Sequence, residues 1–223
     1  VDQGRKFAQR EGDLFEVTLR VLMDSPSCIS ADAGYLLGQT RDNDDEPLSE
    51  LLEAWKRDDL DYVLLEDIGT HNLPVGSVVT GFDDWRNRLI SMGAQADAIV
   101  RVPPALDLLP CCTDAEVIGL VRVAKERGWK SVYLFAPALH RFRAFVSTVS
   151  AIRRVGYELL VYSQPQIFVQ NWQEIVVHSQ SAPRDTRKSQ VAGELAKVER
   201  YCAKGDHVTA REVLDYLDWR DSQ

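Results

Sequence analysis

The sequence is poor in the side chains that build metal centres and disulfide frameworks: 223 residues hold four cysteines, four histidines and two methionines. Cys28, Cys111, Cys112 and Cys202 have no metal-ligand spacing, and an adjacent Cys111-Cys112 pair is a poor start for a disulfide framework. Reduced thiols and a cytoplasmic location are the expectation. No apolar run approaches the roughly 20 residues that a bilayer-spanning helix needs. Residues 1–10 lack the apolar centre of a signal peptide, although a chain that starts at Val1 leaves open a leader removed before it. Basic excess is also missing. A net charge of -8 argues against broad binding of nucleic acid or of an anionic membrane surface, while a small basic pocket for an anionic ligand remains compatible with it. Several signatures are absent: G-x-G-x-x-G, the P-loop, H-E-x-x-H and the G-x-S-x-G elbow. Dinucleotide or phosphate cradling by the usual loops, zinc hydrolysis and an α/β-hydrolase serine have no support.

What is present is an alternation. Short apolar runs at 31–37, 61–65, 98–102, 131–136 and 157–162 read as strands. Amphipathic stretches at 13–23, 47–57, 82–92, 113–127 and 140–155 read as helices, several stopped by glycine (Gly93, Gly128, Gly156). Residues 41–46 read as a polar turn, with Pro47 opening the helix after it. The 66–80 segment reads as a long loop. Two helices at 184–202 and 209–217 close the chain. This rhythm implies right-handed βαβ crossovers and a Rossmann-like three-layer α/β sandwich, with a mostly parallel sheet of about five strands. Residues 1–183 would form that domain behind an N-terminal helix. Residues 184–223 would form a helical extension packed on it.

In such sheets ligands bind beyond the carboxyl ends of the strands, which directs attention to the loops there. His140 and Arg143, three apart at a helix start, share a face. Free N–H groups and a positive dipole end would favour a phosphate or carboxylate, with Arg143 holding it and His140 moving a proton. Thr113-Asp114-Ala115-Glu116 reads first as a capping box, although Glu116 at that rim also has the option of facing the cleft. Gly38, Gln39 and Thr40 follow the first strand, where a glycine permits close approach of backbone to ligand. His178 is a lone histidine in a loop, and such residues are more often solvated or structural than functional.

These residues also carry a resemblance. The run from Ala31 to Thr40, the segment Gly81 to Trp85 with Leu89 and Gly93, and above all Lys125 to Arg143 resemble the YdcF-like (SanA-like) family of bacterial α/β proteins. A small-residue or proline turn after a strand, then His and Arg three apart, matches at His140 and Arg143. In the family's Asn-Thr-x-x-Glu segment, Thr113 and Glu116 match, while Cys112 replaces the asparagine. The usual Gly-Gly after the second strand is missing near Glu66 to Gly69. The resemblance implies a Rossmann-like fold and a site lined by His140, Arg143 and Glu116. It brings S-adenosylmethionine in as a candidate ligand, and it links some members to envelope biogenesis. The departures suggest an altered substrate, as in specialised biosynthesis.

The resulting expectation is a small-molecule enzyme for an anionic or nucleotide-like ligand. His140 and Glu116 would do acid–base chemistry, and Gly38, Gln39, Thr40, Thr113, Arg143 and His178 would contact the ligand. No resident metal is expected. The alternative is a non-catalytic ligand-binding or regulatory protein, with a partner or a second copy docking near Tyr216 and Trp219. For those two aromatics, packing back on the domain is the simpler reading.

Overall fold

The computed structural model describes residues 2–24, 30–38, 40–73, 76–105, 112–163, 171–177 and 184–223, with side chains from residue 11 onward. Five strands form one sheet: β1 (Ala31–Leu36), β2 (Leu60–Glu66), β5 (Ile99–Val102), β6 (Ser131–Phe135) and β7 (Leu160–Ser163). Their spatial order is β5-β2-β1-β6-β7, and every neighbouring pair is parallel. From β1 the chain winds outward to β2 and β5, then crosses back to β6 and β7. The winding reverses between β1 and β6, the place where open α/β sheets form their crevice.

Each crossover is a helix: α2 (Arg41–Lys56), α3 (Phe82–Ser91), α4 (Thr113–Arg127) and α5 (Ala138–Val155). Parallel strands covered on both faces need apolar side chains on both faces, and β1 and β6 have them. On one face Leu36, Leu65 and Phe135 pack with Leu48, Leu51 and Leu52 of α2 and with Trp85 and Leu89 of α3. On the other, Tyr35, Leu64 and Leu134 pack under α4 and α5. Gly34 in β1 is required by the first face, since a Cβ there would stand 2.6 Å from Leu51 and Leu60 side-chain carbons. Asp32 ties the edge of the β1–β6 ladder, its carboxylate accepting from the backbone N–H groups of Lys130 and Ser131 at 2.7 and 2.9 Å.

Helix α1 (Asp2–Leu22) is longer than the 13–23 stretch read from periodicity. The last helices, α6 (Arg187–Lys204) and α7 (Ala210–Asp221), contribute Val198, Val213, Leu214 and Leu217 to the same core as α4 and α5. The Tyr216 hydroxyl donates to the Leu159 carbonyl and accepts from Val161 N–H, both at 2.8 Å, and Trp219 lies tilted beside its ring. Arg220 is buried against Asp24 at 2.7 Å and the Val161 carbonyl at 2.9 Å. These aromatics therefore pack back on the domain.

Several local details differ from the sequence reading. Residues 41–46 are the first turns of α2, not a polar turn, and Pro47 lies inside that helix. The reason is tertiary. Asp44 is fully buried, accepting from Thr80 Oγ1 at 2.5 Å, Trp85 Nε1 at 3.0 Å and Arg88 at 2.9 Å. That network holds the helix through a proline that lacks one donor. The 66–80 loop carries a two-residue ladder, β3 (His71–Asn72) with β4 (Val78–Val79). The segment before α6 carries another, β8 (Ile175–Val176) with β9 (Asp185–Thr186). The last sheet strand begins at Leu160 rather than residue 157.

Candidate active site

The carboxyl ends of β1, β2 and β6 bring together residues from five elements. Gly38 follows β1, Glu66 ends β2, Thr113 and Glu116 open α4, His140 and Arg143 open α5, and Glu194 reaches in from α6. All of these side chains are buried.

The first turn of α4 does not form the expected capping box. Cys112 is the N-cap and makes no side-chain cap bond, while Thr113 is already helical. Both side chains are used elsewhere. Thr113 Oγ1 accepts from Arg143 at 2.7 Å, and Glu116 Oε2 accepts from the Gly38 N–H at 3.2 Å. A capping box would have turned them back onto their own helix; here α4 spends them on α5 and on the end of β1. Burial pushes the Glu116 carboxyl up to about 7, with Asp114 adding to the rise and the Gly38 N–H and Arg143 opposing it.

His140 and Arg143 do share a face, and what lies against it is Glu194. Its Oε2 accepts from Arg143 Nε at 2.6 Å and lies 3.0 Å from His140 Nδ1, and its Oε1 accepts from Lys197 at 2.6 Å. Arg143 also reaches His140 Nδ1, at 2.9 Å. That nitrogen either donates to Glu194 or accepts from Arg143, so the imidazole tautomer is tied to this ion cluster. His140 and Glu116 belong to two adjoining clusters, with Arg143 between them. Glu194 was missed by sequence reasoning, because its partners His140 and Arg143 lie 54 and 51 residues away in the chain and Lys197 beside it reads only as a surface pair.

Glu66 was missed as well. It is fully buried, and neither carboxyl oxygen has a hydrogen-bond partner among the described residues. Burial first, then Glu116 and Asp67, pushes it up to about 10. Gly38 makes the approach possible. A Cβ there would stand 2.8 Å from Glu66 Oε2 and 3.0 Å from Glu116 Oε1. The Tyr35 hydroxyl is likewise buried without a partner among the described residues, and burial, Glu66 and Glu116 together raise its titration. Position gave a hint of Glu66, since it is the last residue of a strand beside the crevice.

Arg141 also lies at the reversal point, between α5 and α2. Its guanidinium donates weakly to the Ala136 carbonyl at 3.4 Å and stands 3.9 Å from Glu50, and its Nε is buried without a partner among the described residues. Thr40 turns inward, donating to the Val177 carbonyl at 2.9 Å, and so acts as a lock between loops. Gln39, His178 and Cys111 lie outside the described residues. Burial raises the Cys112 thiol, the opposite of what an activated nucleophile needs.

No protein-family model, curated protein or solved structure matches this chain. The site therefore stands on its own geometry. Among the described residues no group of three or more His, Cys, Asp or Glu side chains forms a metal-binding cluster. A cavity of about 780 Å³ lies among α1, α5, α6 and α7, lined in part by apolar residues such as Leu14, Phe142 and Val213. Its lining also includes charged residues such as Glu11, Glu199, Arg200 and Arg211, but none of the buried polar groups that converge at the strand ends. The crevice at the strand ends, which does contain them, is the better candidate.

Proposed function

We propose that the chain is a small-molecule enzyme that binds an anionic, nucleotide-like ligand at the carboxyl ends of β1 and β6. Glu116 is its acid–base group. The observation that carries this is the placement of Glu116, a buried carboxyl at the crevice, held by one backbone N–H and titrating near neutrality. A group of that kind both takes up and gives up protons at cellular pH. The start of α5 has no acidic residue in its first turn and brings Arg141 and Arg143 to the crevice, which supports an anionic ligand. His140, Arg143, Glu194 and Lys197 form the charged platform beneath. His140 acts through that cluster, which sets its tautomer. The YdcF-like resemblance agrees with this placing of Thr113, Glu116, His140 and Arg143, and it makes S-adenosylmethionine the first ligand to try. Hydrolysis, group transfer and cyclisation all use such a group.

Calorimetric titration with S-adenosylmethionine, adenine nucleotides and inorganic phosphate tests this, run in two buffers of different ionisation heat. One of these ligands should bind saturably with exchange of a proton at neutral pH. Arg141→Gln should weaken that binding at least tenfold, and Glu116→Gln should abolish the proton exchange. Absence of binding by all three ligand classes, or proton exchange unchanged in Glu116→Gln, sinks the proposal.

A further inference from the structure

Glu66 has no part in the chemistry given to Glu116 above. The β1–β2 register pairs Leu36 with Leu65, so Glu66 comes level with Leu37. Alternation along the strand turns its side chain to the face that holds Leu64 and Tyr35. Helix α4 covers that face, and Glu116 comes down from it. The two carboxyl groups flank Gly38, which has no side chain to keep them apart.

A fully buried carboxyl without hydrogen bonds must keep its proton, meet a cation of the protein, or hold a bound cation. Among the described residues no basic side chain contacts Glu66; the charged groups acting on it are Glu116 and Asp67, both acidic. Two neighbouring carboxyl groups in a low-dielectric site cannot both ionise cheaply, so one retains its proton. Glu116 has the Gly38 N–H on one oxygen and Arg143 nearby to favour its charge. Glu66 has neither. The proton belongs on Glu66.

We propose that Glu66 and Glu116 form a one-proton carboxyl pair in which Glu66 is the acid and Glu116 the base, making Glu66 a second proton-transfer residue of the site. This builds on the acid–base role of Glu116. In a turnover the Glu66 O–H bond breaks, its electron pair stays on the carboxylate, and the proton goes to a ligand oxygen or nitrogen. Glu116 takes a proton from another ligand atom, or from the water or hydroxyl that attacks. Transfer from Glu116 to Glu66 then restores the starting state with no net proton consumed. The substrate class is one that must gain a proton at one atom and lose one at another: a tautomerising compound, or one cleaved by water or a hydroxyl with an oxygen or nitrogen leaving group. The direction of the two titrations agrees, with Glu66 raised further than Glu116.

Infrared titration of the full chain carrying isotope-labelled glutamate reads a protonated carboxyl directly and needs no ligand. A protonated glutamate band should persist in the wild type at alkaline pH, above the range in which Glu116 gives up its proton. At that pH it should vanish in Glu66→Gln, and it should titrate at lower pH in Glu116→Gln. No such band at that pH overturns the pair, and so does a band that survives there in Glu66→Gln. A band that emerges only after chelator treatment also overturns it, because a bound cation then occupies the place given to the proton. If the variants fail to fold, the wild-type spectrum with and without chelator still decides. No ligand enters this experiment, so its failure leaves the ligand titrations standing, and theirs leaves this one.

Discussion

Replacing Glu66 by glutamine should make the protein more stable, and more so as pH rises. In the folded chain this carboxyl is fully buried, has no hydrogen-bond partner among the described residues, and is pushed up to about 10 by burial and by its acidic neighbours. In the unfolded chain a glutamate titrates near 4.3. The folded state thus holds this proton more tightly. Its contribution to stability is fully present below the unfolded value and is lost as pH rises toward the folded one. Each pH unit inside that window is worth about 1.4 kcal/mol, so moving from about pH 5 to about pH 7 should cost the wild type about 3 kcal/mol through this group alone. Water entry and local relaxation would reduce that figure. Glutamine has nearly the same shape and no charge to suppress, so the variant escapes the loss. For a chain of this size about 3 kcal/mol corresponds to roughly 6–12 °C in Tm. The assay is thermal unfolding of both proteins at the two pH values. The variant's Tm minus the wild type's should grow by roughly that amount between them. Other titrating groups cancel in this double difference, except those coupled to Glu66. An equal difference at both pH values would refute the reasoning, because Glu66 would then be ionised in the folded protein at no cost.

Three further outcomes follow from the packing. Gly119→Ala should destabilise by about 1–3 kcal/mol in urea unfolding, because a Cβ there would stand 2.2 Å from the Pro103 carbonyl oxygen and backbone lies on both sides of the clash. Arg143→Met should cost about 3–5 kcal/mol in the same measurement, since it strips the buried Glu194 of its arginine partner and leaves Thr113 without its donor. Burial alone would raise the Asp114 carboxyl, but His207 and Ser147 more than offset it and hold it below the usual range. Its contribution is present above the unfolded value and lost as pH falls through the folded one. Asp114→Asn should therefore flatten the acid limb of a stability–pH curve while lowering stability at neutral pH.

The strand–helix alternation was legible because its causes are local. Apolar runs such as 61–65 and 131–136 can be buried on two faces only in a parallel sheet, and glycines at 128 and 156 stop helices by taking left-handed geometry that other residues resist. The loops at the strand ends, with Gly38, Thr113, Glu116, His140 and Arg143 in them, followed from that topology. Beyond this, local patterns misled. Thr113 and Glu116 satisfy the spacing of a capping box, yet Arg143 and the Gly38 N–H offered stronger partners from elsewhere in the fold. Residues 41–46 look like a turn until Asp44 is seen buried among Thr80, Trp85 and Arg88. Glu194 carried no signal of its role, and Glu66 only that of standing at a strand end. A surface glutamate and a buried one look alike in a chain, because the cost of burying charge depends on what surrounds it in space. Periodicity records which face of an element is apolar and so reaches the fold. The carboxyl pair and the ion cluster arise where separate elements converge, at distances along the chain that no window of sequence spans.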